Sequence, residues 1–195
     1  YQAIKEYFSL HPCSELEVSL VVCDNPRAGV LTKAERWQTP TFVTHVRDYP
    51  TKDAYEQAIL AQLQSNNIDY LILAGYMRLL GKPLLDAYFG RIINLHPSLL
   101  PAFPGKDAVG QALAAGVSVT GITIHFVDEG MDTGPIIAQY PVPIYPNDTH
   151  ETLSTRIHGI EHQLYPQVVR ALVMGDVTLE DNGIVWHRKL ELEVM

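Results

Sequence analysis

Hydrophobic residues follow two alternating patterns along this chain. Short runs rich in β-branched residues predict strands, and longer stretches with apolar residues every three or four positions predict helices. The predicted strands are Val18–Cys23, Thr41–Val46, Tyr70–Ala74, Ile92–Leu95, Val119–Val127 and Ile136–Val142. The predicted helices are Gln2–Leu10, Lys52–Ser65, Pro83–Tyr88, Asp107–Ala115 and, approximately, Glu151–Met174. Several of the strands are apolar on both faces, which is typical of parallel strands covered by helices.

This order of elements predicts an α/β fold of three layers, in which helices cover both faces of a mostly parallel central sheet. A length of 195 residues suits one domain, and no linker, repeat or low-complexity tract divides the chain. The tail 177–195 contains an Asn182-Gly183 turn signal between two short apolar runs. We interpret it as a strand pair or extended appendage on a single domain that spans residues 1–195.

Composition narrows the possible functions. The chain has 14 basic and 22 acidic residues, a net charge of −8, and no basic cluster, so we do not expect a nucleic-acid partner. No apolar stretch approaches the ~18 residues that would predict a membrane span. Cys13 and Cys23 lack CxxC spacing and no signal peptide is evident, which favours free thiols in the cytoplasm. We expect a small-molecule ligand, and the sequence does not indicate an oligomeric state.

Polar side chains follow two of the predicted strands. In INLHPSLLP, residues 93–101, Asn94 and His96 are two positions apart and therefore share a face of the strand. In HFVDEGMDTGP, residues 125–135, Asp128, Glu129 and Asp132 fall in a loop. Because open α/β sheets bind ligands at the carboxyl ends of their strands, we expect amide, imidazole and carboxylate to meet at one rim. There an amide and a protonated imidazole would stabilise the oxyanion of an acyl-transfer intermediate, and a carboxylate would keep the imidazole charged.

Three segments of the chain resemble one known family. AGYMRLL, INLHPSLLPAFPG and HFVDEGMDTGPIIAQ occur in this order in the formyltransferases that use 10-formyltetrahydrofolate, and the similarity runs from Tyr1 to about Met174. It is strongest to members that formylate glycinamide ribonucleotide in purine biosynthesis. The resemblance implies a Rossmann-like formyltransferase fold, 10-formyltetrahydrofolate as co-substrate, glycinamide ribonucleotide as acceptor, and no metal.

The resemblance also implies a role for each matched residue. Asn94 would polarise the formyl oxygen, His96 would act as the general acid, and Asp132 would keep His96 charged. Residues that would contact the formyl donor are Lys52, Met77, Arg78, Leu79, Leu80, Val127, Asp128 and Asp132. Residues that would contact the ribonucleotide are Pro97, His158 and Glu161. The bond between Leu100 and Pro101 would be cis and the bond before Pro97 trans.

Other hypotheses stay open beside this one. A formyltetrahydrofolate hydrolase would use the same three groups with water in place of the amine, and a catalytically silent ligand-binding domain would share the fold. His158-Gly159-Ile160-Glu161-His162 also spells the H-x-x-E-H pattern of a zinc peptidase, although Gly159 disfavours a helix there and no third ligand is evident. We interpret His125, inside a predicted strand, as a partly buried residue satisfied by its neighbours.

The beginning of the chain carries the last expectation. In the family, a first strand and a Gly-rich phosphate loop precede the helix that Tyr1-Gln2-Ala3-Ile4 resembles, and no such loop follows any predicted strand of this sequence. We therefore expect roughly a dozen further residues before Tyr1 in the natural protein.

Overall fold

The computed structural model describes residues 1–180 and 183–188. Its strands are β1 Val21–Cys23, β2 Thr41–Val43, β3 Leu71–Ile72, β4 Ile92–His96, β5 Val119–Phe126, β6 Ile136–Pro143, β7 Val177–Glu180 and β8 Gly183–Trp186. Its helices are α1 Gln2–Leu10, α2 Gly29–Arg36, α3 Lys52–Ser65, α4 Lys82–Ala87, α5 Ala108–Ala115 and α6 His150–Val173, with one 3₁₀ turn at Val46–Asp48. The elements predicted from the pattern are therefore present, and the strands β1 to β3 are shorter than predicted.

The strands form three sheets, and one strand of the largest sheet runs in an unexpected direction. β1 and β2 pair in parallel, and a four-stranded sheet has the order β3-β4-β5-β6. Within it, β3 and β4 are parallel, whereas β5 runs antiparallel to both β4 and β6. Since β3, β4 and β6 share one direction, this sheet is mostly parallel, and β5 alone is reversed. Hydrophobic runs identify strands but carry no information on their direction, because parallel and antiparallel strands share the same side-chain alternation.

Helices cover both faces of the sheet, which confirms the three-layer α/β arrangement. Neighbouring residues of β4 show the two faces directly. Ile93 packs in a core with Leu153, Ile157 and Leu164 of α6, while Ile92 packs in a second core that includes residues of α3 and α4. Both isoleucines are almost fully buried. Since successive side chains of a strand point to opposite faces, β4 lies in the middle layer between two helical layers.

Side-chain caps explain where two of the long helices begin. The Thr51 hydroxyl accepts a hydrogen bond from the backbone N–H of Ala54 at the start of α3. Thr149 and Thr152 form a reciprocal capping box at the start of α6. Helix α2 was not predicted from the sequence. It is eight residues long, has no side-chain cap and buries a single residue, Ala34.

The tail forms the expected strand pair. β7 and β8 are antiparallel, with Val177 opposite Trp186 and Glu180 opposite Gly183. Asn182 of the predicted turn lies outside the described residues, as do residues 189–195. No helix in residues 1–180 and 183–188 is long and apolar enough to cross a membrane. The bond between Leu100 and Pro101 is cis, as predicted.

Candidate active site

Four polar side chains share one face of the β4–β5 pair. The register places Asn94 opposite His125 and His96 opposite Thr123. Residues that are directly opposite in an antiparallel pair point to the same side of the sheet. The polar residues of β4 and β5 therefore converge in a small region that is otherwise lined by apolar strand residues.

Both ring nitrogens of His96 face hydrogen-bond acceptors. Nε2 lies 2.8 Å from the carbonyl oxygen of Phe103, and Nδ1 lies 3.4 Å from Oδ2 of Asp132. The residue is 5% exposed. A neutral imidazole has one N–H, whereas the imidazolium has two. The charged form therefore satisfies both contacts at once, and Asp132 supplies its counter-charge.

Asp132 reaches His96 by a different route from the one expected. Because β5 is antiparallel to β4, its carboxyl end does not lie beside that of β4. The loop between β5 and β6 instead folds back, and Asp132 lies over the shared face with a left-handed φ of 56°. Its Oδ2 also accepts the backbone N–H of Gly105 at 2.7 Å. Asp132 therefore joins the loop that follows β4 to the loop that follows β5.

His125 is buried and its ring nitrogens have neighbouring partners, as the sequence pattern suggested, and it also takes part in this cluster. Nδ1 lies 2.8 Å from the carbonyl oxygen of Phe126, and Nε2 lies 3.3 Å from Nδ2 of Asn94. Nε2 is also 3.7 Å from Oδ1 of Asp132. Burial lowers the pKa of His125. The structure thus brings Asn94, His96, His125 and Asp132 together.

A buried hydrogen-bond network supports the loop after His96 and was not predicted. The Thr123 hydroxyl donates to the carbonyl oxygen of Ser98 at 2.7 Å and accepts the N–H of Leu100 at 3.0 Å. The Gln139 amide donates to the carbonyl oxygen of Leu100 and to the Thr123 hydroxyl, both at 2.9 Å. The polar residues Thr123 and His125, two apart in an otherwise apolar strand, were the sequence signal that could have revealed this arrangement.

The segment after β3 supplies the residues predicted to contact the formyl donor. The side chains of Met77, Arg78 and Leu79 are exposed, whereas Leu80 is buried in the core beneath α3 and α4. Arg78 forms an ion pair with Asp24, 3.1 Å away, after β1. Because β3 and β4 are parallel neighbours, this segment and the loop after His96 lie at the same edge of the sheet.

A cavity of about 320 Å³ lies beside this segment. Its lining combines apolar, aromatic and cationic side chains: Val46, Lys52, Tyr55, Tyr76, Arg78 and Leu79. The buried hydroxyl of Tyr76 has no hydrogen-bond partner within the part of the chain that is described, and burial raises its pKa. Lys52 also lies 3.5 Å from the buried carboxylate of Glu56. The cavity thus offers apolar walls and two cations to an aromatic anion.

The other residues that were predicted to contact the formyl donor lie in the loop between β5 and β6. Val127 is half-buried and follows β5 directly, while Asp128 and Glu129 are exposed. Asp128 Oδ1 accepts hydrogen bonds from the backbone N–H of Gly130 and the hydroxyl of Thr133. Asp128 therefore shapes the loop that carries Asp132.

Helix α6 brings a buried carboxylate near the same edge of the sheet. Burial raises the pKa of Glu161 to about 7, and its nearest charged neighbour is His158, 3.9 Å away and largely exposed. One turn later, the hydroxyl of Tyr165 lies 2.7 Å from the carbonyl oxygen of Leu73 and 3.2 Å from that of Ile93. Glu161 thus lies one helical turn before the residue that joins α6 to Leu73, directly after β3, and to Ile93 of β4.

The H-x-x-E-H pattern lies on the same helix. His158 and His162 are four residues apart, so they share a face of α6, and burial lowers the pKa of His162. Among residues 1–180 and 183–188, no group of three or more His, Cys, Asp and Glu side chains is arranged to hold a metal ion.

Comparison with known proteins assigns a family to this arrangement. Residues 9–169 match the model of the formyl transferase family. The chain belongs to this family. Phosphoribosylglycinamide formyltransferase of Bacillus subtilis is 55% identical over 159 residues, which cover 82% of each chain. The crystal structure of glycinamide ribonucleotide transformylase 1 from Symbiobacterium toebii superposes with a TM-score of 0.90 at 40% identity, over 95% of this chain and 87% of that one.

A similar fold also occurs in a protein that is named as a deformylase rather than a formyltransferase. The crystal structure of a formyltetrahydrofolate deformylase from Pseudomonas syringae pv. tomato has a TM-score of 0.84 and 26% identity to this chain. The similarity covers 94% of this chain and 61% of the deformylase. Fold alone therefore does not separate a formyl transferase from a deformylase, and the choice depends on the acceptor that the site admits.

Proposed function

We propose that this protein transfers the formyl group of 10-formyltetrahydrofolate to the amine of glycinamide ribonucleotide. The observation that carries the proposal is the cluster of Asn94, His96 and Asp132 on one face of β4. It occurs in a chain that belongs to the formyl transferase family and is 55% identical to a phosphoribosylglycinamide formyltransferase.

The reaction needs an oxyanion donor and a source of one proton. The amine attacks the formyl carbon, a carbon–nitrogen bond forms, and the carbonyl electron pair moves onto oxygen. When this tetrahedral intermediate collapses, the bond from carbon to N10 of the folate breaks. N10 takes up a proton and the attacking nitrogen gives one up. Because the substrate supplies the nucleophile, no protein side chain needs to be acylated.

We assign the oxyanion contact to an N–H of Asn94 and the role of proton donor to His96. Hydrogen-bond donors placed where negative charge develops are worth about 10²–10³ in rate. Both ring nitrogens of His96 already face protein acceptors, so the substrate must replace one of these two acceptors. The neutral carbonyl of Phe103 is the partner given up, since the carboxylate of Asp132 provides a counter-charge for the imidazolium that donates the proton.

The proposed contacts to 10-formyltetrahydrofolate involve the cavity beside the segment that follows β3. A folate combines a flat heteroaromatic ring with an anionic glutamate tail. Exposed Met77 and Leu79 offer apolar contact, and Lys52 and Arg78 offer positive charge to the tail. We also assign donor contacts to Leu80, Val127, Asp128 and Asp132, which border the same region from the two loops.

The proposed contacts to glycinamide ribonucleotide involve residues of α6. A carboxylate accepts hydrogen bonds from ribose hydroxyl groups, and Glu161 is a largely buried carboxylate one helical turn before Tyr165, whose hydroxyl contacts Leu73 and Ile93. We assign ribonucleotide contacts to Glu161, to His158 on the same helix, and to Pro97 directly after His96. The proposed reaction uses two small-molecule substrates in the cytoplasm, requires no nucleic acid, and needs no metal ion.

A formyltetrahydrofolate hydrolase is the second candidate, and the structural similarity to a deformylase favours keeping it. One assay separates the two activities. Both release tetrahydrofolate, but only the transferase needs glycinamide ribonucleotide to do so. The release of tetrahydrofolate is followed with and without glycinamide ribonucleotide, and formylated product is measured by mass spectrometry. We expect release to depend on the ribonucleotide and to match product one for one. Equal release in both reactions, without formylated product, would establish the hydrolase instead.

Metal dependence has its own measurement. Metal content is determined after exhaustive dialysis against a chelator, and activity is compared before and after. We expect activity to be retained. Stoichiometric zinc whose removal abolishes activity would instead support the H-x-x-E-H hypothesis.

A further inference from the structure

The proton on the His125 ring can be located from its two neighbours. Nδ1 lies 2.8 Å from the carbonyl oxygen of Phe126, and a carbonyl oxygen only accepts. Nδ1 therefore carries the proton. In the neutral ring Nε2 then has a free lone pair, and it lies 3.3 Å from Nδ2 of Asn94, which only donates. The N–H of Asn94 thus donates to Nε2 of His125.

The charges around the ring agree with a neutral His125. The side chain is 3% exposed, and burial disfavours its charged form. Asp132 Oδ1 is 3.7 Å from Nε2, which exceeds hydrogen-bond length. The other oxygen of Asp132 already faces His96 and the N–H of Gly105. A second imidazolium would leave two buried cations beside a single carboxylate, which is costly.

The strand pairing of β5 fixes the position of the ring. Its pairing with β6 shifts register between Ile124, opposite Ala138, and His125, opposite Ile136, so the extra residue of this bulge, Ile137, lies in β6. The alternation of side chains along β5 is therefore not interrupted at His125. On the other side, the β4–β5 register is regular and places His125 directly opposite Asn94. The backbone therefore holds the two side chains in contact.

We propose that His125 is a positioning residue that fixes the orientation of the Asn94 carboxamide for formyl transfer. A free asparagine amide rotates readily about its last bond and presents either N–H groups or its carbonyl oxygen. The lone pair of His125 Nε2 accepts one N–H of Asn94 and repels the carbonyl oxygen. The second N–H of Asn94 then stays available to the formyl oxygen. This inference rests on the proposed function.

The test uses two substitutions that differ in reach. His125→Gln keeps an amide oxygen near the place of Nε2, whereas His125→Asn is too short to contact Asn94. We expect His125→Asn to lower kcat about tenfold, with the KM of each substrate changed less than about twofold, because an oxyanion donor acts in the transition state. We expect His125→Gln to keep kcat within about threefold of wild type. Thermal unfolding of both variants checks that the loss in kcat does not follow a loss of stability.

The His125→Asn substitution in an Asn94→Ala background shows whether His125 acts through Asn94. We expect His125→Asn to lower kcat less than about twofold there, because the group it positions is already gone. A full tenfold loss in that background would overturn the proposal. So would a His125→Gln variant that folds like wild type and is as slow as His125→Asn.

A nuclear magnetic resonance measurement on the ¹⁵N-labelled wild type tests the contact without reference to activity. We expect a protonated Nδ1, an unprotonated Nε2, and scalar coupling between Nε2 and the side-chain nitrogen of Asn94. A protonated Nε2 would overturn the inference whatever the kinetics. Failure of the wild type to formylate glycinamide ribonucleotide would overturn the proposed function instead, so the two failures are distinguishable.

Discussion

At the scale of single residues, the His96 ring lies between the carbonyl dipole of Phe103 and the carboxylate charge of Asp132. In the proposed reaction, the Phe103 carbonyl is the contact exchanged for a substrate oxygen, whereas the Asp132 carboxylate stays beside the ring as a counter-charge. The two contacts therefore have separate consequences. Removal of the carbonyl contact leaves the contact with Asp132 intact, but removal of the carboxylate charge abolishes the ion pair.

Asp132→Asn should preserve the fold and lower turnover. The amide oxygen of asparagine still accepts the N–H of Gly105, but the imidazolium of His96 loses its counter-charge. We expect kcat to fall about 100-fold, within the range for loss of general acid catalysis. Steady-state kinetics test this. Asp86→Asn, an exposed substitution on α4, is the control, and wild-type turnover in Asp132→Asn would contradict the assignment.

Glu161→Gln should stabilise the protein at alkaline pH. Burial raises the pKa of Glu161 to about 7 from an ordinary value of 4.5, so the folded state favours the protonated carboxyl. Its contribution to stability is fully present below pH 4.5 and is lost as pH rises through 7. Glutamine stays neutral throughout. We expect the variant to be about 2 kcal/mol more stable at pH 8, a rise in Tm of roughly 5 °C, and to bind the ribonucleotide more weakly.

Thermal unfolding between pH 4 and 9 provides the measurement for Glu161→Gln. The difference in Tm from wild type should be near zero at pH 4 and grow towards pH 8. Glu151→Gln, an exposed substitution in the first turn of the same helix, should run parallel to wild type. A Glu161→Gln profile that also runs parallel would mean that the carboxylate is not desolvated in the folded state.

At the scale of elements, the loop between β5 and β6 decides whether the Asp132 carboxylate reaches His96 of β4. Gly134 allows the loop to pass close to the end of β5, since a side chain there would collide with the carbonyl oxygen of Phe126. This close approach turns the loop back over the sheet. Asp128 stiffens the turn through its contacts with Gly130 and Thr133.

Gly134→Ala should therefore cost both stability and activity. The added methyl group meets backbone atoms, which cannot move without displacing the loop that carries Asp132. We expect a loss of about 2–3 kcal/mol and a fall in kcat of at least about tenfold. Urea unfolding and steady-state kinetics are the measurements. Gly29→Ala, where the methyl group meets open space, is the control, and equal behaviour of the two variants would refute the close approach.

At the scale of the whole molecule, α6 connects the layers. It packs against β5 and α1 in the first core, and the hydroxyl of Tyr165 lies close to backbone oxygens of both parallel strands at the site. The helix therefore holds Glu161 and His158, the residues proposed to contact the ribonucleotide, on an element that is fixed to β3 and β4.

Tyr165→Phe should destabilise the fold as a whole. The Leu73 carbonyl oxygen loses its contact with the buried tyrosine hydroxyl, which costs about 1–2 kcal/mol. We expect Tm to fall roughly 3–6 °C and the KM for the ribonucleotide to rise about threefold, because Glu161 lies one turn away. Calorimetry and kinetics check this. Tyr145→Phe, at a largely exposed tyrosine, should change neither quantity, and an unaffected Tyr165→Phe would show that the contact is not required.

Local pattern alone predicted the elements well where apolar periodicity was strong. Helices α1 and α3 match their predicted bounds, and α6 was predicted within one residue at each end. Helix α2 was missed because it is only eight residues long and no side-chain cap marks its start. β1 to β3 were predicted too long, because an apolar run continues beyond the residues that pair with a neighbour.

The sequence by itself determined that Asn94 and His96 share a face, since that follows from the two-residue period of a strand. The resemblance to formyl transferases likewise depended only on residue order, and the family match confirmed it. Tertiary structure alone decided the antiparallel direction of β5, the return of Asp132 to His96, the contact of His125 with Asn94, and the burial of Glu161. Each of these depends on contacts between residues far apart in the chain, and on the removal of water from charged groups, which no local pattern encodes.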